Sequence, residues 1–139
     1  MKVYLETSVI LRKLLGEPDA LKQWGEWKEG CTSEITLVES LRALDRLRLR
    51  GILDDAVVAE KMRLLREILE AVDVIALDAH VLNRSAQSFP TVIGALDAVH
   101  LSSALLYVEQ RDEKLVFLTH DRQLGTAAEA LGLETRGLG

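Results

Sequence analysis

The sequence predicts a three-layer α/β/α domain built on a central, mostly parallel sheet. Short apolar runs rich in β-branched or aromatic residues alternate with longer segments of helical periodicity. Strands separated by helices imply right-handed crossovers and a sheet covered on both faces. At 139 residues the chain has room for one core, so residues 1–139 are read as a single domain.

The elements follow in order. Residues 3–5 form a first buried strand and residues 8–15 a first helix. Gly16 and Pro18 separate that helix from a second over residues 20–28, which Gly30 ends. Cys31 and Thr32 are a short strand candidate. Helices over residues 34–50 and 54–71 are divided by Gly51, and residues 74–77 form another buried strand. A helix over residues 79–88 runs to the loop bracketed by Pro90 and Gly94. Residues 95–110 are helical and apolar nearly all round, the pattern of a buried helix. A strand at residues 115–118, a helix over 122–131 and an edge strand at 133–136 complete the chain.

Composition excludes several functions. A net charge of −5 argues against a protein basic over its whole surface, and six aromatic residues are too few for a base-stacking platform. One cysteine, Cys31, allows neither an internal disulfide nor a cysteine zinc cluster and suits a reducing cytoplasm. The longest apolar run has five residues, and Glu6 interrupts the apolar start, so neither a membrane span nor an export signal is expected.

Chemistry is expected where carboxylates meet the carboxyl ends of parallel strands. Glu6 follows the first strand, and Asp121 follows the strand at 115–118 with Thr119 and His120 between. Glu39 lies early in the helix over 34–50. There Leu37, Leu41, Leu44 and Leu47 form an apolar face, with Glu39, Arg42, Arg46 and Arg50 on the opposite stripe. A solvated face with a Glu39–Arg42 pair is the plainer reading of that stripe. Asp97 sits on the buried helix, where a carboxylate needs a cation, hydrogen-bond donors or a capping role. Four acids on one rim make an oxygen-rich site suited to Mg²⁺ or Mn²⁺. Ser8 and Thr119 stand beside two of them, as ligands to water or metal or as ordinary helix-cap and strand-end hydroxyls.

The motifs YLETSVI, EITLVESLRAL, LDAVHLSSALL and FLTHDRQL, in this order and spacing, resemble those of PIN-domain ribonucleases, in particular VapC toxins of toxin–antitoxin pairs. The resemblance spans essentially the whole chain. It implies a Mg²⁺- or Mn²⁺-dependent endoribonuclease whose acids map onto Glu6, Glu39, Asp97 and Asp121, with Ser8 and Thr119 in support. It also implies a homodimer held by a cognate antitoxin. The family's first acid is usually Asp; Glu6 carries one methylene more, and Mg²⁺ tolerates little distortion.

An acidic chain can still hold RNA locally. Residues 42–66 carry seven basic and four acidic side chains, so Arg42, Arg46 and Arg50 form a candidate phosphate track leading from Glu39, or else a solvated face or a protein contact. Trp24 and Trp27 are candidates for a partner contact or for core packing, His100 reads as a packed helix histidine, and His120 as a loop residue. A binding module without catalysis, disabled by Glu6, is the principal rival. Phosphoryl transfer through a strand-end nucleophile fits poorly, because Glu6-Thr7-Ser8 stands where Asp-x-Asp is required and no lysine accompanies the acids.

Overall fold

A computed structural model describes residues 1–138. Five strands, β1 (Lys2–Leu5), β2 (Glu29–Ser33), β3 (Asp73–Ile75), β4 (Val116–Leu118) and β5 (Glu134–Arg136), form one sheet in the order β3-β2-β1-β4-β5. All four pairings are parallel, as the alternation of strand and helix requires. The helices are α1 (Thr7–Leu14), α2 (Ile35–Leu49), α3 (Asp55–Glu70), α4 (Ala79–Ser85), α5 (Ala95–Arg111) and α6 (Arg122–Ala130). Among the described residues no helix is long and apolar enough to cross a membrane.

Side chains of the central strands alternate between two cores, which makes the three layers. Val3, Leu5, Val116 and Leu118 pack with Val9 and Ile10 of α1, Leu44 of α2 and Leu65 of α3. Tyr4, Cys31 and Phe117 face the other way, onto Leu101, Ala104 and Leu105 of α5 and Leu124 and Ala127 of α6. The Tyr4 and Phe117 rings stack at 5.1 Å across the β1–β4 pair.

The chain winds outward from β1 through β2 to β3, then returns to the other side of β1 as β4 and β5. The reversal leaves the carboxyl ends of β1 and β4 side by side with α1 and α6 departing from them. Open α/β sheets bind ligands at such a switch point.

Several elements depart from the sequence reading. Residues 20–28 do not form a helix; they run through turns in which Gly25 takes φ +85°, a conformation that ends regular helix. Trp24 and Trp27 meet edge to face at 5.1 Å and pack on the α1–α3 core, so their periodicity reflects core contact rather than a helix face. The strand expected at 74–77 is Asp73–Ile75, and it is not buried: it is a sheet edge, pairing with β2 alone, and Val74 is 44% exposed. The helix expected to reach residue 88 stops at Ser85. On α2 the buried positions are Thr36, Ser40 and Leu44, whereas Leu37 is 41% exposed, so the stripe facing the sheet is rotated from the leucine stripe toward small polar residues. Thr36 sits there because its hydroxyl is hydrogen-bonded to that of Thr32 on β2, 2.8 Å away.

One backbone approach ties the last strand to the switch point. Gly137 has φ +103°, and a Cβ added to it would lie 2.6 Å from the carbonyl oxygen of Thr119, a main-chain atom with no freedom to yield. Gly137→Ala should therefore cost about 1–3 kcal/mol. A thermal melt should show a Tm lower by roughly 3–8 °C; an unchanged Tm would refute the constraint.

Candidate active site

Glu6 is the first residue past β1, with only 6% of its surface exposed. Its backbone N–H continues the β1–β4 ladder by donating to Leu118 O at 3.0 Å. Its carboxylate caps α1 by accepting from Ser8 N (3.0 Å), and it also accepts from the Ser8 hydroxyl (2.5 Å) and the Thr119 hydroxyl (2.6 Å). A buried carboxylate survives on such donors. Ser8 and Thr119 thus act on Glu6 directly: Ser8 is not the α1 cap, and Thr119 is more than a strand-end hydroxyl. Each also accepts a backbone N–H, Ser8 Oγ from His120 N across the rim (2.9 Å) and Thr119 Oγ1 locally from Asp121 N (3.1 Å).

Asp121 is the N-cap of α6, accepting from Leu124 N at 3.1 Å, and it is otherwise exposed. Asp97 stands in the first turn of α5, whose N-cap is Gly94 with no side-chain capping bond, so the capping reading of Asp97 does not hold. Partial burial raises its pKa, and the negative charges of Asp121 and Glu6 raise it further, to about 6. The three acids therefore share one electrostatic environment, and Asp97 carries its unrelieved part.

Glu39 is on neither a solvated face nor a pair with Arg42, which instead bonds Asp45 at 3.3 Å. Its Oε1 lies 2.6 Å from His100 Nε2 and accepts from the Thr7 hydroxyl at 2.7 Å. Burial alone would raise its pKa; the bonds from His100 and Thr7 outweigh that and hold the carboxyl below its ordinary value. His100 is 1% exposed, and its Nδ1 lies 2.6 Å from the Tyr4 hydroxyl. Burial, reinforced by nearby negative charge from Glu6 and Glu39, pushes the Tyr4 phenol well above its ordinary range. The Glu39 carboxylate can only accept, so the ring hydrogen aimed at it is on Nε2. The relay Tyr4–His100–Glu39 and the Thr7 hydroxyl were missed in the sequence reading. Their one signal was polar side chains at buried positions of β1 and α5, where each needs a partner.

Among the described residues no three His, Cys, Asp or Glu side chains stand together as a metal-holding group. The reason is visible in the bonds: Glu6, Glu39 and Asp121 are each turned onto protein donors. Around Glu6 the donor set is nevertheless carboxylate and hydroxyl oxygen, and the charge carried at Asp97 is the charge that a hard divalent cation offsets. The residues fit such an ion in chemistry and in charge.

The PIN domain family matches residues 3–130. The chain belongs to the PIN-domain family. It is 31% identical over 137 residues to Ribonuclease VapC35 of Mycobacterium tuberculosis, covering 94% of this chain and 93% of that relative. Its fold is similar to a toxin–antitoxin complex from Klebsiella pneumoniae, with a TM-score of 0.63 at 17% identity over 87% of this chain and 88% of that one. It is also similar to FitAcB from Neisseria gonorrhoeae, with a TM-score of 0.55 at 18% identity over 97% and 96%. The VapC-type PIN resemblance read from the four motifs stands, and the all-parallel five-stranded sheet agrees with the expected α/β/α architecture.

The charge at Asp97 sets a pH dependence. Its folded pKa, about 6, exceeds its value in an unfolded chain, so the folded state holds this proton more tightly. Stability from this group is present below about pH 4 and lost as pH rises through 6. In EDTA, Asp97→Asn should raise the Tm at pH 8 by about 3 °C, allowing about 1 kcal/mol after solvent screening. The gain should shrink as pH falls from 6 to 4. A Tm difference independent of pH would refute the assignment.

Proposed function

We propose that this PIN-domain protein is a divalent-metal-dependent endoribonuclease acting as the toxin of a toxin–antitoxin pair. The observation that carries the reading is the acid cluster at the β1–β4 switch point, with Asp97 left in the field of Glu6 and Asp121. The ribonuclease name of the 31% identical relative and the toxin–antitoxin description of one structural neighbour support it.

Asp97 and Asp121 would hold a Mg²⁺ or Mn²⁺ ion, with Glu6 contributing through Oε2, which accepts one bond where Oε1 accepts two. When bound, such an ion supplies positive charge against a phosphodiester and makes a water easier to deprotonate. Glu6 keeps its place through Ser8 and Thr119, so its charge is fixed in position before substrate arrives. Glu39, locked at Oε1 by His100 and Thr7, orients a water through Oε2; with its pKa held low it is a better acceptor of a hydrogen bond than of a proton. Arg42, Arg46 and Arg50 on α2 are proposed as a phosphate track from Glu39. Arg42 shares Asp45 with Arg48, which weakens its part in the track relative to Arg46 and Arg50. An antitoxin partner and a homodimer belong to the same proposal.

The second reading is a partner-binding PIN module without cleavage. The saturation of Glu6 by protein donors favours it, because a carboxylate so engaged has less to give a metal. Cleavage of an RNA pool with Mn²⁺ separates the two. Wild type should cut, Asp97→Asn should lose at least about a thousandfold in rate, and Arg46→Glu should raise KM more than it lowers kcat. Binding without cutting by wild type would favour the module.

A further inference from the structure

The turns that replace the expected helix at residues 20–28 open a cleft of about 720 Å³ between α1, these turns and α6. Arg12, Lys22, His120 and Arg122 line it, against the single carboxylate of Asp19. Arg12 is shared with Asp19 (3.0 Å) and Glu17 (3.7 Å). Lys22 and Arg122 have no ion-pair partner among the described residues. In a chain of net charge −5, two unpaired cations facing one cleft are a local reversal of sign.

The cleft adjoins the acids. His120 donates its backbone N–H to Ser8 Oγ, the hydroxyl that binds Glu6, and Arg122 follows Asp121 directly. The His120 ring is fixed as well: Nδ1 donates to Gly137 O at 2.7 Å. Its Nε2 is buried without a partner. A second cleft, of about 710 Å³, opens at the amino ends of β1 and β4. There Lys2 is already neutralised by Glu29 and Glu113, and the acids lie at the far end of the sheet.

Position in the sheet gives the charges a direction. α2 leaves β2 on one side of β1, and α6 leaves β4 on the other. We propose that the cleft lined by Lys22, Arg122, Arg12 and His120 seats the sugar–phosphate backbone of single-stranded RNA immediately beside the acids. Apart from the imidazole no ring lines it, so it grips the backbone and leaves the bases unread. Its volume suits a nucleotide-sized group.

This inference rests on the ribonuclease reading, and binding measured in EDTA, where no cleavage interferes, separates the two. The probe is a fluorescent single-stranded RNA oligonucleotide read by anisotropy over a range of salt. Lys22→Gln with Arg122→Gln should weaken binding by about tenfold or more and flatten the slope of log K against log salt by about 0.7 for each charge removed. Lys114→Gln, at the amino end of β4, should do neither. Thermal melts confirm folding, since both cleft positions are exposed. Unchanged affinity and slope in the double variant would overturn the proposal and is the result expected if the cleft receives an acidic protein segment. Absence of RNA binding by wild type would overturn it too. Binding that depends on Lys22 and Arg122 in a protein that cuts nothing with Mn²⁺ supports the cleft and overturns the nuclease reading alone.

Discussion

The carboxylate of Glu6 is the point on which the site is assembled. It is buried at the seam between β1 and β4, and it survives there because Ser8 and Thr119 supply three hydrogen bonds. Those bonds start α1, join the ends of two strands, and through the same two hydroxyls position the main chain of His120 and Asp121. A negative charge is thereby fixed at the floor of the rim. Asp97 sits within its field, and burial first, with the charges of Asp121 and Glu6 behind it, raises the Asp97 pKa.

Glu39 is arranged on a different principle. It is held by a side-chain relay, with His100 Nε2 donating to its Oε1 and His100 Nδ1 bonded to the Tyr4 hydroxyl. The relay links β1 through α5 to α2. Packing around Tyr4, including its stack on Phe117, therefore sets the aim of a carboxylate on another helix. The site has one rigid acid in Glu6, one aimed acid in Glu39, a helix cap in Asp121, and Asp97 in the field of its neighbours.

Much of this was legible in the chain. The β1 and β4 strands, the buried α5 and the two strand-end acids follow from apolar patterning and from the rule that parallel sheets work at their carboxyl ends. The four motifs indicated the family. What was not legible depends on tertiary contact. Residues 20–28 have helical periodicity, but Gly25 at positive φ and two tryptophans drawn into the core make turns of them. Glu39 looked solvated because its partner is 61 residues away on α5, and the residue closest in sequence, Arg42, is claimed by Asp45. The rotation of α2 comes from Thr36 bonding Thr32, a preference that a leucine stripe conceals. The cleft beside the acids exists because the expected helix does not, so no sequence pattern pointed to it.

The net charge of −5 is the sum of unlike regions: acids gathered at one seam, and cations on α2 and around the cleft on either side of it. Thermal unfolding with added Mn²⁺ at neutral pH most directly tests the proposal that a divalent cation offsets the charge borne at Asp97. Wild type should gain stability with concentration, by about 5–10 °C at a hundredfold excess over Kd, and Asp97→Asn should lose nearly all of the gain. A wild type indifferent to Mn²⁺, or a variant that gains as much, would contradict the claim.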